Sequence, residues 1–132
     1  MDRFFQHSAT THDVTVRVAV SFLPDRSQAE SLRWFWAYHI RIENHSSHTM
    51  QLLTRHWVIT DGRGGVQHVE GEGVVGEQPI LHPGDSHDYV SGCPLNTPNG
   101  RMEGVYRMLC DDDRILEIDI PRFPLVATAV AN

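Results

Sequence analysis

The chain has 132 residues, 40% of them hydrophobic, and a formal net charge of -6 at pH 7. This size and composition suit one globular domain with its own core, while the acidic balance lacks the basic footprint of a protein that grips a phosphate backbone directly. All eleven Lys+Arg positions are arginine, and with no lysine a Walker-type phosphate loop and Schiff-base or pyridoxal chemistry both lose their amine.

The first twelve residues and residues 126 to 132 carry weak signals and are expected to fray at the ends of a single domain spanning 1 to 132. No apolar run approaches the roughly 20 residues needed to cross a bilayer, and MDRFFQHSATTHD has no apolar stretch of the secretory kind. A soluble cytoplasmic protein without membrane insertion is therefore expected. Residues 14 to 22 then alternate strictly, with Val14, Val16, Val18, Val20 and Phe22 on one side of a two-residue period, which predicts a half-buried strand. Pro24 to Gln28 starts a polar connection that holds at most a short helical turn through Ala29 to Arg33.

Residues 34 to 44 place Trp34, Trp36, Tyr38, Ile40 and Ile42 on one face, a density of aromatic and β-branched side chains suited to a central strand. Residues 50 to 60 follow, apolar around Leu52, Leu53, Trp57, Val58 and Ile59, and Asp61 to Gly65 turn the chain into a hairpin with residues 66 to 70. His82-Pro83-Gly84-Asp85 marks a turn into a strand over 86 to 92, and Pro94 to Gly100 is irregular. Met102, Gly104, Tyr106, Met108 and Cys110 share one side of the next strand. Asp111 to Asp113 reverse the chain, and Leu116, Ile118 and Ile120 point inward from a last strand that Pro121 and Pro124 are expected to stop. About seven strands without a convincing helix predict an all-β antiparallel sandwich. Cys93 and Cys110, the only cysteines, are too few for a disulfide framework and are expected as buried thiols.

Gly71, Gly73 and Gly76 have the G-x-G-x-x-G spacing of dinucleotide-binding sites. That fingerprint works where the glycines lead from a strand into a helix, whose free N–H groups hold the pyrophosphate. Here Pro79, Pro83 and Gly84 follow too closely for a helix to begin at Gly76. The expected use of these glycines is instead a bulged sandwich loop, in which a missing side chain permits positive φ or close approach of another backbone. The segment Gly71, Gly73, Val74, Val75, Gly76, Gln78 and Pro79 is nevertheless the first candidate for an interaction or ligand surface, with the Val74-Val75 pair either covering the core or meeting a partner.

The same stretch carries a resemblance. Trp57-Val-Ile-Thr-Asp61-Gly62, then Val69-Glu-Gly71-Glu-Gly73-Val-Val-Gly76-Glu-Gln78-Pro79, Leu81-His-Pro83-Gly84, Gly100-Arg-Met102-Glu-Gly104-Val-Tyr106-Arg-Met108 and Ile120-Pro-Arg-Phe123 resemble the ApaG family over nearly the whole chain, from about Val14 to Leu125. The resemblance implies an immunoglobulin-like or fibronectin-III-like β-sandwich, in agreement with the strand pattern. It also implies an association with cobalt tolerance and magnesium efflux, and it supplies no catalytic residues to carry over.

Nine histidines raise the question of metal, but their spacing matches no zinc or H-E-x-x-H pattern. Asp111, Asp112 and Asp113, with His82 and His87 flanking a turn, are weak candidates that solvated turn chemistry explains as well. No serine lies in a nucleophile elbow. The expectation is a non-enzymatic interaction module without a cofactor, whose partner is an unidentified protein or a second copy of the chain. The alternative is a small-ligand or divalent-metal-binding protein using the glycine segment or the His and Asp loops.

Overall fold

The computed structural model describes residues 4–128. Nine strands account for most of them: β1 (His7–Thr11), β2 (Val14–Phe22), β3 (Trp34–Asn44), β4 (Met50–Asp61), β5 (Val66–Glu72), β6 (Ile80–Leu81), β7 (Ser86–Leu95), β8 (Asn99–Cys110) and β9 (Ile115–Val126). Every pairing is antiparallel. One sheet runs β1-β2-β3-β7 and the other β5-β4-β8-β9, with the two-residue β6 beside β4. This is the all-β sandwich that the alternation predicts. Between β2 and β3 lie only two short 3-10 turns, Pro24–Arg26 and Ala29–Ser31, and no described helix is long and apolar enough to cross a membrane.

The core forms where the inward residues of the two sheets meet. Val14, Val16, Val18, Trp36, Ile40 and Ile42 from the first sheet face Leu52, Trp57, Met102, Tyr106, Met108, Ile118 and Phe123 from the second, all buried. Tyr38, Trp57 and Phe123 cluster with ring centroids 5.4 to 6.1 Å apart, within the range in which aromatic pairs attract beyond the area they bury. Tyr89 of β7 and Tyr106 of β8 join their hydroxyls across the sandwich. Burial raises the pKa of both phenols, so both remain neutral, as a buried hydroxyl pair requires.

Two bulges shift the inward phase of a strand. In β4 the register against β8 skips Leu53, so that even positions Met50 and Leu52 face the core before it and odd positions Trp57 and Ile59 after it. In β9 the register runs from Ile120 opposite Gly104 to Phe123 opposite Met102, and the inward set changes from Leu116, Ile118, Ile120 to Phe123, Leu125. Pro121 and Arg122 there stand against the single residue Glu103. A proline fits a bulge on an edge strand because no ladder hydrogen bond is forfeited there. The expectation that Pro121 and Pro124 stop the last strand is therefore corrected: β9 continues through both to Val126.

Residues 7 to 11, expected to fray, pair fully with β2 as His7–Thr11, and the Asp119 amide of β9 donates to Thr11 Oγ1 at 3.1 Å. Val126 likewise ends β9, its carbonyl accepting from Trp36 Nε1 at 3.0 Å. The expected frayed residues 1–3 and 129–132 lie outside the described residues. Cys93 and Cys110 are free and buried, and burial pushes the Cys93 thiol up to about 11, which keeps it protonated at neutral pH.

Candidate functional site

The glycine segment lies on the β4 bulge. Gly71 is within β5, opposite Arg55, and a Cβ there would sit 2.7 Å from the Arg55 guanidinium. The missing side chain makes room for Arg55, whose Nη1 donates to the carbonyls of Glu72 and Gly73 at 3.1 and 3.0 Å. Gly73 then adopts φ +65° and donates its amide to the Leu53 carbonyl at 2.8 Å. Val74 and Glu77 exchange both backbone hydrogen bonds, at 2.8 and 3.0 Å, around Val75 and Gly76 at φ 47° and 79°. Positive φ at both central residues identifies a type I′ hairpin turn.

No helix follows Gly76. The amides of Gly73, Val74 and Glu77 are committed to carbonyls of the protein itself, so they are not available to cradle a phosphate. The expected bulge exists, but across the sheet at Leu53 rather than among the glycines. Gln78 and Pro79 complete the seat: Gln78 Nε2 donates to the same Leu53 carbonyl at 2.9 Å, and the Pro79 carbonyl accepts from the Leu52 amide at 3.0 Å. The valines separate. Val74 is buried in the core, whereas Val75 at the turn tip is 61% exposed.

Of the Asp and His candidates, the fold joins some and scatters others. Cys110 to Arg114 close a three-residue hairpin loop, with the Asp113 amide on the Cys110 carbonyl at 2.9 Å and Asp113 at φ 71°, the familiar type I turn followed by a left-handed residue. Asp112 turns back onto Arg114 Nε at 2.7 Å. Asp111 faces the loop between β3 and β4, accepting from His48 Nδ1 at 2.7 Å and from the Thr49 amide at 3.0 Å. Those bonds hold its carboxyl below the usual range, the Thr49 amide first and His48 next.

His82 enters the same corner through its Nδ1 and Thr49 Oγ1, 3.2 Å apart. His87 is instead on β7 opposite Ile42, its ring 6.4 Å from Tyr89. His48, Cys110 and Asp111 are the group that converges, with one potential ligand atom from each within 4.8 Å of the others. Sequence reasoning missed His48 and Cys110 because 62 residues separate the loop from the turn; the adjacent Cys110-Asp111 pair was the available signal.

Elsewhere the charges make local ion pairs. Asp88 accepts from His39 Nε2 at 2.7 Å and Arg41 Nε at 3.1 Å, and Glu43 from Arg17 and His45 at 3.0 and 2.9 Å. Burial alone would raise both carboxyls, but these hydrogen bonds outweigh it and leave both lowered. On the outer face of the second sheet Glu70, His56 and His68 form a chain, with contacts of 2.9 Å at each step.

Comparison with known proteins agrees with this architecture. Residues 24–110 match the family model described as the ApaG domain. A protein ApaG of Paramagnetospirillum magneticum is 51% identical over 119 residues, and one of Beijerinckia indica subsp. indica 47% over 119 residues; each alignment covers 90% of this chain and 92% of the relative. The crystal structure of an ApaA protein from Bordetella pertussis superposes with a TM-score of 0.85 at 42% identity, covering 89% of this chain and 96% of that one.

Proposed function

This chain belongs to the ApaG family, and on that premise we propose that it is a non-enzymatic protein-interaction module of the cytoplasm, whose partners take part in divalent-cation handling. The observation that carries the reading is the unequal protection of its sheet edges. An exposed edge is a template for another strand unless it is short, interrupted by proline, charged or covered. Among the edge strands, β1 has only five residues, β6, beside β4, has only two, β7 contains Pro94, and β9 contains Pro121 and Pro124.

Edge strand β5 contains no proline, and its seven residues are mostly exposed. Its protection is charge: Glu70 and Glu72 lie along it, with Glu77 in the adjoining hairpin. Negative charge repels a like-charged edge but attracts a basic one, so it selects a partner rather than excluding all of them. Exposed Val66 at one end and Val75 at the hairpin tip give that partner apolar contacts. The partner this surface fits is an extended basic segment added beside β5.

Glu72→Arg and Val75→Asp test the reading, since both positions are exposed and neither change disturbs the core. Chemical cross-linking in the native cell, followed by capture, should recover a partner with the wild-type chain and lose it with either variant at unchanged melting temperature. Retention of every partner by both folded variants would refute this surface. Sedimentation of the purified chain decides separately whether the partner is a second copy.

A further inference from the structure

We propose that His48, Cys110 and Asp111 form a binding site for a single divalent ion of the zinc class at the corner where the β3–β4 loop meets the β8–β9 turn. This site is independent of the β5 edge. Its three donors are imidazole nitrogen, thiolate sulfur and carboxylate oxygen, which together suit a borderline ion in tetrahedral geometry. Magnesium, which requires near-octahedral oxygen coordination and retains its waters, does not fit a thiolate-containing set.

Two of the three separations are close to those needed, and all three donor atoms lie within 4.8 Å of one another. Bond lengths of about 2.3 Å to sulfur and about 2.0 Å to nitrogen or oxygen place tetrahedral ligands roughly 3.3 to 3.5 Å apart. Cys110 Sγ lies 3.8 Å from Asp111 Oδ1, slightly wide, and His48 Nδ1 lies 2.7 Å from the same oxygen, about half an ångström too close. The second distance is short because a proton occupies the gap: a carboxylate only accepts, so His48 Nδ1 carries the hydrogen. Binding moves that proton to Nε2, frees Nδ1 as a ligand, and releases the Cys110 thiol proton to solvent. The net change is one proton lost and one dication gained, leaving thiolate, carboxylate and ion neutral together.

The frame around the donors is already ordered. Asn44 is fully buried and donates through Nδ2 to the His48 carbonyl at 2.7 Å and to the Leu81 carbonyl at 3.0 Å. Its Oδ1 accepts from the Ser46 amide and hydroxyl at 3.0 and 2.7 Å, and Ser46 Oγ accepts from the His48 amide at 3.1 Å. His48 is thus presented by a loop pinned to a buried side chain, an arrangement that supports metal ligands from behind. Arg114 Nη2 stands 3.8 Å from Cys110 Sγ and its Nε is paired with Asp112. His48 and Asp111 are 39% and 48% exposed in their side chains, so the fourth position opens to solvent.

The test is a titration of the full chain with reduced thiols, using zinc in competition with a chromophoric chelator and cobalt(II) as a spectroscopic probe. One equivalent should bind, with a thiolate-to-cobalt charge-transfer band in the near ultraviolet, and excess magnesium should not compete. Cys110→Ser should abolish the band and Cys93→Ser should leave it intact. His48→Gln and Asp111→Asn should each weaken zinc binding by about tenfold or more. Should Cys110→Ser fail to fold, the wild-type spectrum with the Cys93→Ser control still decides the matter. Absence of a charge-transfer band in the wild-type chain, survival of the band in folded Cys110→Ser, or displacement by magnesium would overturn the proposal.

Discussion

The amide of Gly73 donates to the carbonyl of Leu53, the residue at which β4 bulges, at 2.8 Å. The bulge turns that carbonyl out of the regular ladder, and the glycine segment folds back to satisfy it. A Cβ on Gly73 would lie 2.3 Å from the Glu77 carbonyl oxygen, at a backbone φ of +65° that disfavours any side chain. Gly73→Ala is therefore expected to destabilise the fold by about 2 kcal/mol or more. Urea denaturation followed by tryptophan fluorescence measures this, and an unchanged midpoint would contradict the role assigned to the bulge.

The neighbouring valines should respond in opposite directions. Val75 is a β-branched residue at φ 47° on an exposed tip, the first central position of a type I′ turn, where asparagine is favoured. Val75→Asn is expected to stabilise by about 1 kcal/mol. Val74 is buried, and Val74→Ala should cost about 2 kcal/mol through lost burial and the cavity left behind. Calorimetric melting of the two variants should bracket the wild type.

The Tyr89–Tyr106 hydroxyl pair is a third test, because each hydroxyl is the other's partner inside the sandwich. Tyr89→Phe removes one and leaves the Tyr106 oxygen buried, at a cost of about 1 to 3 kcal/mol. Removing both hydroxyls leaves no orphan, so the double variant should cost less than the sum of the singles. A strictly additive double-mutant cycle would show the pair to be uncoupled.

Acid should unfold the chain partly through Asp88. Its carboxyl is held below its ordinary value of 3.8 in the folded chain, hydrogen bonds from Arg41 and His39 outweighing burial. A depressed folded pKa gives stability that is fully present above the unfolded value and lost as pH falls through the folded one. The contribution of the Asp88 carboxylate to the stability difference between the wild type and Asp88→Asn should therefore shrink as pH drops below about 4. Denaturation midpoints measured across that range check it, and a difference that grows toward acid would reverse the sign.

The alternation of Val14 to Phe22 and Trp34 to Ile42 made β2 and β3 legible before any coordinates, because burial on one face of a pleat imposes a period of two. A different rule, that proline ends a strand, misled at Pro121 and Pro124. Proline forbids a central strand, but the rule carries no information about which strand lies at an edge, and β9 does. The weak segment 7 to 11 became β1 because β2 offered a free ladder, a property of the neighbour rather than of its own side chains. At the glycines, sequence context correctly excluded a helix after Gly76, while the location of the bulge at Leu53 depended on the register of β4 against β8.

The sequence by itself determined the class of fold and most of its core, since side-chain periodicity, turn residues and proline placement are local and act within a few positions along the chain. Only the tertiary structure decided which strands became edges, which of two adjacent valines entered the core, and which histidine met Asp111. Those outcomes depend on strand order and register, set by contacts between residues far apart in sequence, where a shift of one position turns a side chain from one face to the other.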